Sequence, residues 1–256
     1  MPYPALFIGH GSPMNAIEDN QWSRAWRALG EGLPRPRGVV CVSAHWVTDG
    51  TAVTAMQQPR TIHDFGGFPQ ALFDVQYPAP GDPALAAEVA ELLGADQVML
   101  DQSWGLDHGA WSVLVHLFPQ ADVPVVQLSL DGRLDGPAHL DQGRKLAPLR
   151  DRGTLLLGTG NIVHNLKGFF RGGATAPPAD WATRFDAHIA ALLEAGEMDQ
   201  IANFTDLPDA DQAAPDWEHF WPLLYVLGTW GPGEALTCPT TGFQGAGISM
   251  RSVQVG

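Results

Sequence analysis

Two near-continuous apolar segments constrain the fold of this chain more than any other feature. GVVCVS (residues 38–43) and TLLLGTG (residues 154–160) offer no polar face to solvent. A strand of this kind requires a sheet that is covered on both faces. Similar runs alternate with helical patterns along the chain. This order predicts an α/β fold, with a three-layer α/β/α architecture and a central, mostly parallel mixed sheet.

The hydrophobic periodicity locates the individual elements. The predicted strands are 5–8, 38–43, 51–55, 97–100, 123–130, 154–158 and 247–253. The predicted helices include 21–29, 83–93, 110–118, 137–149, 181–195 and 222–228. The stretch RGGATAPPAD (171–180) is rich in glycine and proline and is interpreted as a loop rather than a domain boundary. The sequence shows neither repeats nor an obvious linker. We therefore expect a single catalytic domain over residues 1–256.

Composition narrows the range of partners. The chain has a formal charge of −14 and only two lysines. It therefore has no surplus of basic side chains for a nucleic-acid backbone, and nucleic acid is not an expected partner. Neither a signal peptide nor an apolar stretch long enough for a membrane span is evident, so the expected location is cytoplasmic. Cys41 and Cys238 form no CxxC pair, and Cys41 lies in an apolar run that predicts a buried thiol. The oligomeric state is not defined by the sequence.

Five histidines stand where a ligand site is expected. His10 and His45 each follow an apolar strand, and His164 follows a third strand through a glycine-rich turn. In open α/β sheets the carboxyl ends of the strands form the ligand-binding edge. His219 precedes a predicted helix, and His108 lies in a glycine-flanked turn ahead of another.

The remaining four histidines have less distinctive surroundings. His188 shares a helical stripe with apolar residues, which is typical of a packed or boundary position. His116 and His139 lie in or near predicted helices and are interpreted as structural or solvent-facing. His63 lies in a loop with two glycines and two phenylalanines, and its role is left open.

Scattered histidines without paired cysteines indicate a mononuclear catalytic metal rather than a structural zinc site. Imidazole binds Zn, Fe, Cu and Ni alike, so the residues do not select one metal. The segment GTGN (158–161) lacks the context of a phosphate-binding loop, and the chain has neither a GxSxG nor an HExxH motif. Glu218 and His219 are adjacent, which makes them poor joint ligands on a helix.

Several motifs together resemble a known family. The motifs are HGSPM, VSAHW, HDFGGFP, GLDHGAW, GTGNIVHNL and WEHFWPLL, and the likeness extends from about residue 5 to the C-terminal GISMRSV. This set is similar to the class III extradiol ring-cleaving dioxygenases, and within them to the 4,5-DOPA dioxygenase type.

The resemblance implies a role for each of the five histidines. It makes His10, His45 and His219 the ligands of one non-haem metal. It makes His164 the acid/base residue, with a possible additional contact to the metal, and gives His108 a contact with substrate or oxygen. The protocatechuate branch has a glutamate as third ligand, so Glu218 is the substitute if His219 is not the aligned residue.

The expected activity follows from the same resemblance. It is O₂-dependent cleavage of a catechol such as L-DOPA, at the 4,5 bond, to a seco-DOPA semialdehyde. The expected cofactor is one Fe(II), with Zn(II) in the protein as isolated. The glycines beside His10 and His108 are expected to let substrate approach. A zinc-dependent hydrolase and a non-catalytic binding protein of the same fold remain alternatives.

Overall fold

The computed structural model describes residues 2–256, and its central feature is an eight-stranded sheet. The strands in chain order are β1 (Ala5–Gly9), β2 (Gly38–Thr48), β3 (Thr51–Thr54), β4 (Val98–Asp101), β5 (Val125–Asp131), β6 (Thr154–Gly160), β7 (Leu236–Thr237), β8 (Phe243–Gln244), β9 (Ile248–Ser249) and β10 (Val253–Val255). In the sheet they lie in the order β4-β3-β5-β2-β6-β1-β10-β7, while β8 and β9 form a separate hairpin pair.

The centre of the sheet is parallel, as the apolar strands predict. Strand β2 pairs in parallel with both β5 and β6, and β6 pairs in parallel with β1. Antiparallel pairing occurs between β3 and β5 and at the other end of the sheet, where β1, β10 and β7 pair in turn. Parallel pairing aligns the carboxyl ends of β1, β2 and β6. His10 and His164 follow β1 and β6 in the sequence, and His45 lies near the end of β2.

Eleven α-helical segments occur within residues 2–256. They are α1 (Gln21–Gly32), α2 (Gln70–Phe73), α3 (Pro83–Leu93), α4 (His108–Leu117), α5 (Gly136–Leu146), α6 (Pro148–Asp151), α7 (Leu166–Gly172), α8 (Asp180–Ala195), α9 (Met198–Ala202), α10 (Ala210–Ala213) and α11 (Trp221–Gly228). Asp82, Asp107 and Asp135 cap α3, α4 and α5 by accepting hydrogen bonds from backbone N–H groups of the first turn.

Helices cover both faces of the sheet. On one face Leu6 and Ile8 of β1 pack with Trp26 of α1 and Trp111 of α4. On the other face Phe7 belongs to the apolar layer that also contains residues of α3, α5, α8 and α11. Because successive strand residues point to opposite faces, a strand buried on both sides has to be apolar throughout. The three-layer architecture is confirmed.

Two predicted elements are divided in the structure. The expected strand 247–253 is wrong: β9 pairs with β8, and only β10 joins the main sheet. Between them, the Thr240 hydroxyl donates to the carbonyl of Met250 and contacts the Ser252 hydroxyl, which diverts the chain. The expected helix 137–149 is divided into α5 and α6 at Pro148, which has no N–H to continue the helix.

None of the helices within residues 2–256 is both long enough and apolar enough to cross a membrane.

Candidate metal centre

His10 continues directly from the end of β1. Its backbone N–H donates to the carbonyl of Gly160 at 3.0 Å, so the pairing of β1 with β6 holds this position. Its carbonyl accepts a 2.9 Å hydrogen bond from the Asn15 side chain. These two hydrogen bonds fix the backbone on both sides of His10, and its side chain is buried.

His45 lies inside β2, which extends five residues beyond the predicted end of that strand. The register with β5 shifts between Val42 and Val47, so the segment between them bulges from the parallel ladder. A bulge re-aims the side chains it carries. The strand therefore presents His45 from within its length rather than from its end.

His219 ends a 3-10 turn, Trp217–His219, just ahead of α11. Its carbonyl accepts a 2.8 Å hydrogen bond from the Asn161 backbone N–H, which docks this turn against the end of β6. A Cβ at Gly160 would overlap that same carbonyl. The absence of a side chain at Gly160 is therefore what lets His219 approach the sheet edge.

The structure brings His10, His45 and His219 together, with one ring nitrogen from each within 4.8 Å of the others. The Nε2 atoms of His10 and His45 are 3.2 Å apart. Ring centroids are 5.6 Å apart for His10 and His219, and 4.9 Å apart for His45 and His219. This is a compact set of nitrogen donors from three separate parts of the chain.

All three histidines are neutral at physiological pH in this environment. Burial lowers the pKa of each ring well below its usual value, and the neighbouring histidines lower it further. Only a neutral imidazole has the lone pair that a metal ion needs. The electrostatics of the cluster therefore match the protonation state of a ligand set.

The unsatisfied nitrogen atoms also fit a metal. Neither ring nitrogen of His219, nor Nδ1 of His10, has a hydrogen-bond partner among residues 2–256. Two neutral Nε2 atoms that face each other at 3.2 Å need a proton or a cation between them. Leaving such buried groups unpaired costs about 1–3 kcal/mol each, and a shared metal ion would satisfy them together.

His164 lies beside this cluster rather than in it. Its ring stacks on His219 with a centroid distance of 3.5 Å and an interplanar angle of 4°. Its backbone N–H donates to the carbonyl of Ala213 at 2.8 Å. Burial, and to a lesser extent His108, lowers the pKa of His164 to about 4, so the ring is neutral at pH 7.

His108 reaches the cluster from the first turn of α4. Its ring centroid is 3.9 Å from that of His45 and 6.0 Å from that of His10. Asp64 contacts it twice: Oδ1 accepts the His108 backbone N–H at 2.9 Å, and Oδ2 lies 2.9 Å from Nδ1. Burial would raise the pKa of Asp64, but the contacts with His108 outweigh it and hold that pKa below its usual value.

A second carboxylate, that of Asp107, lies behind the segment that carries His45 and holds it through Ser43. It is fully buried, accepts a 2.7 Å hydrogen bond from the Ser43 hydroxyl and is also hydrogen-bonded by the Gln127 amide. The Ser43 hydroxyl in turn accepts the backbone N–H of His45 at 3.2 Å. Asp107 thus links the cap of α4 to the bulge of β2.

The sequence reasoning missed three residues that organise the site: Asp64, Asp107 and Asn161. Asp64 and Asp107 each stand next to a histidine inside a motif used for the resemblance, HDFGGFP and GLDHGAW. That adjacency was the available signal. Asn161 joins two segments, because its side-chain amide donates to the carbonyl of Ser249 while its backbone binds His219.

The other histidines lie outside the cluster. His63 is 2.9 Å from the carbonyl of Val75, while His116 is 2.8 Å from that of Asn15. His139 is fully buried against α11, and His188 is half-buried on α8. The positions of His116, His139 and His188 are compatible with the structural or boundary roles expected for them, and His63 lies in a loop packed against Phe65, Phe73 and Trp111.

Glu218 is not brought into the cluster. One of its carboxylate oxygens is 3.5 Å from Nδ1 of His219. Among residues 2–256 the metal-capable side chains form two groups, His10–His45–His219 and His45–Asp64–His108, and neither contains Glu218.

The glycines of the site have a different role from the expected one. A Cβ at Gly9 would lie 2.8 Å from the carbonyl oxygen of Arg251, and one at Gly109 would lie 2.6 Å from the Ser43 hydroxyl. Gly11 has a φ of +60°, and its Cβ would lie 2.6 Å from the Gln244 side chain. These glycines allow protein segments to pack closely around the histidines. The expectation that they open a path for substrate is therefore wrong.

Comparison with known proteins assigns this chain to a family. The family described as the catalytic LigB subunit of aromatic ring-opening dioxygenase matches residues 4–251. The chain belongs to this family. Its members are extradiol-type ring-cleaving enzymes, and the histidine cluster of this LigB-family chain is a site that could hold their metal.

Individual relatives cover nearly the whole chain. A protein of Escherichia coli K12 named 4,5-DOPA dioxygenase extradiol is 51% identical over 99% of this chain and 94% of its own length. A protein of Beta vulgaris with the same name is 39% identical over 88% of this chain and 86% of its own. A crystal structure titled as an uncharacterized protein of Escherichia coli K12 aligns with a TM-score of 0.87 and 45% identity, and covers 99% of this chain and all of that one.

Proposed function

We propose that this chain is a metal-dependent extradiol dioxygenase, which cleaves a catechol such as L-DOPA at the 4,5 bond with O₂. The observation that carries the proposal is the cluster of His10, His45 and His219. Their buried, neutral rings and the 3.2 Å approach of two Nε2 atoms suit one divalent cation. We further propose that these three residues are its protein ligands.

The proposed cofactor for activity is a single Fe(II). When bound, Fe(II) supplies the redox chemistry that passes electron density from a catechol ring to O₂, which ordinary side chains cannot do. Three protein nitrogens would leave coordination positions for other ligands, as in other non-haem iron oxygenases. The two oxygens of a catechol would require such positions.

His164 is the proposed general base. Its ring is neutral and stacked beside the cluster, so it can accept the proton that a catechol hydroxyl releases on binding. An anion close by raises the pKa of a histidine, so the bound catecholate would strengthen this base. The same ring can later return the proton to the ring-opened product.

His108 is the proposed contact to substrate or oxygen. Its ring centroid lies 3.9 Å from that of His45, and Phe65 packs edge-on against it with centroids 5.5 Å apart. An aromatic wall of this kind keeps bulk water away from a reacting group and suits a flat substrate ring.

The substrate class rests on the relatives. Both named curated relatives are called 4,5-DOPA dioxygenases, and the one from Escherichia coli covers nearly the full chain. We therefore place L-DOPA, with cleavage to the seco-DOPA semialdehyde, ahead of other catechols.

The decisive experiment is anaerobic loading of the purified protein with Fe(II), followed by oxygen uptake with a panel of catechols. L-DOPA is expected to consume O₂ and form a yellow product. L-tyrosine, which lacks the second hydroxyl, is the matched control and is expected to be inert. With labelled O₂, mass spectrometry of the nascent product is expected to show both oxygen atoms.

Zinc provides the metal control. Zinc ranks above ferrous iron in the Irving–Williams series, so protein handled in air is expected to contain zinc and to be inactive. Fe(II) reconstitution is expected to restore turnover. Oxygen consumption by iron-free zinc protein, or zinc-dependent ester hydrolysis with no catechol activity under either metal, would contradict the proposal.

A further inference from the structure

Asp64 and His108 are joined by an unusual pair of contacts. One carboxylate oxygen, Oδ1, accepts the backbone N–H of His108 at 2.9 Å. The other, Oδ2, lies 2.9 Å from Nδ1 of the same residue, although this contact is off the line of an ideal hydrogen bond. Oδ2 is also 3.9 Å from Nδ1 of His45. A single carboxylate thus faces both the backbone and the ring of His108.

We propose that Asp64 is a positioning residue that fixes the tautomer of His108, with the proton on Nδ1 and the lone pair on Nε2. The inference rests on the proposed function only for its catalytic consequence. The tautomer itself is inferred from the distances between Asp64 and His108.

The argument starts from the chemistry of the carboxylate. An ionised carboxylate only accepts hydrogen bonds, and a backbone N–H only donates them. Oδ1 is already engaged by that N–H, so the ring has to meet Oδ2. A ring nitrogen that lies 2.9 Å from a carboxylate oxygen is favourable when it carries a proton. With one proton on the ring, Nε2 is then left unprotonated.

The ring has little freedom to turn away from this arrangement. The residue is 6% exposed, with Phe65 edge-on at 5.5 Å and the ring of His45 at 3.9 Å. Small rotations that improve alignment with Oδ2 remain available, as is common for catalytic hydrogen bonds before substrate binds. With Nδ1 held by Asp64, His108 can accept a hydrogen bond from a substrate hydroxyl through Nε2.

The first test needs neither a variant nor turnover. The ¹⁵N spectrum of histidine-labelled protein, loaded with diamagnetic Zn(II), separates protonated from unprotonated ring nitrogens. The His108 signals are assigned by their loss in His108→Gln. We expect a protonated Nδ1 and an unprotonated Nε2. A proton on Nε2 of His108 would overturn the proposal.

The second test uses Asp64→Asn, which has one permitted orientation. The backbone N–H of His108 can only be met by the amide oxygen, so the amide NH₂ faces Nδ1. Nδ1 then has to accept, and the proton moves to Nε2. Asp74→Asn is the matched control, because Asp74 is exposed and, within residues 2–256, its carboxylate is hydrogen-bonded only by the Gln70 side chain.

We expect Asp64→Asn to reverse the tautomer and to keep its bound metal. In the Fe(II) form, kcat is expected to fall about 10- to 100-fold with a much smaller change in KM, as for other residues that orient a site histidine. Asp74→Asn is expected to match the wild type in both. An unchanged tautomer in Asp64→Asn would contradict the inference. If the wild-type tautomer is as expected while no catechol is turned over, the proposed function fails and the inference stands.

Discussion

The imidazole of His164 lies flat on the imidazole of His219, with centroids 3.5 Å apart and planes only 4° apart. Stacking in this way directs the ring nitrogens of both residues along parallel planes, so the two rings cannot point at the same atom from opposite sides. His219 belongs to the metal-capable group of nitrogens and His164 does not. The stacked arrangement supports the proposal that His219 binds the metal and that His164 transfers protons.

Removal of single histidines is expected to separate these roles. His10→Ala, His45→Ala and His219→Ala should each lose bound metal, because a site with three ligands cannot spare one. His164→Ala should keep most of its metal and lose ring cleavage by roughly 10²–10⁴-fold, the usual scale of general acid–base catalysis. His188→Ala, at a half-buried position on α8, is the control. Metal analysis of the five proteins decides the assignment, and a metal-free His164→Ala would reverse it.

Gly109→Ala is expected to disturb the site without removing any of its functional groups. The added Cβ would lie 2.6 Å from the Ser43 hydroxyl and 2.7 Å from Cδ2 of His45. Either α4 or the bulge of β2 has to shift, and overpacking of this kind costs about 1–3 kcal/mol. We expect a lower melting temperature and weaker metal binding.

Gly32→Ala is the matched control for that substitution. Gly32 ends α1, and a Cβ there would meet nothing within 4 Å. The change is expected to leave stability unchanged or to raise it by up to about 1 kcal/mol. Equal metal affinity in the two alanine variants would show that the contact of α4 with His45 does not matter.

His139 is expected to make the protein sensitive to acid. Burial lowers its pKa from 6.5 to about 4. Between these values the unfolded chain binds a proton at His139 and the folded protein does not, so stability falls as the pH falls and then levels off. At about 1.36 kcal/mol per pKa unit, the loss is roughly 3 kcal/mol at most.

Denaturant titrations of His139→Leu between pH 7 and pH 4 measure this contribution. We expect the variant to lose less stability over that range than the wild type does. His188→Leu serves as the matched substitution on another helix. Parallel pH dependences for wild type and His139→Leu would rule out the assignment.

Removal of Arg150 is expected to cost more stability than removal of an exposed arginine. It is 2% exposed, and it donates to the carbonyls of Tyr3 and Thr229 and to the carboxylate of Glu234. Arg150→Met would leave these acceptors without their donor. Breaking a buried ion pair in this way costs about 3–5 kcal/mol, which urea unfolding would measure.

Arg35→Met provides the comparison for an exposed pair. Arg35 contacts Asp122 at 2.7 Å, but both side chains are at least half exposed. Such pairs contribute at most about 1 kcal/mol. A loss for Arg150→Met no larger than that for Arg35→Met would disprove the structural role given to the buried arginine.

The sequence by itself determined the fold class and pointed to the histidines of the candidate site. Strands such as 38–43 and 154–160 are apolar throughout, and this property is local, because it depends only on burial of both faces. Parallel order then brings the ends of β1 and β6 to one edge, so the convergence of His10 and His164 could be anticipated.

Only the tertiary structure decided how the histidines are held. The bulge that aims His45, the docking of His219 on Gly160 and the contacts of Asp64 with His108 join residues far apart in the chain. A hydrogen bond or a steric contact of this kind depends on distances set by packing of whole elements, and composition or periodicity does not encode them. For the same reason the sequence showed which positions are glycines, but it could not predict which distant segments pack against them.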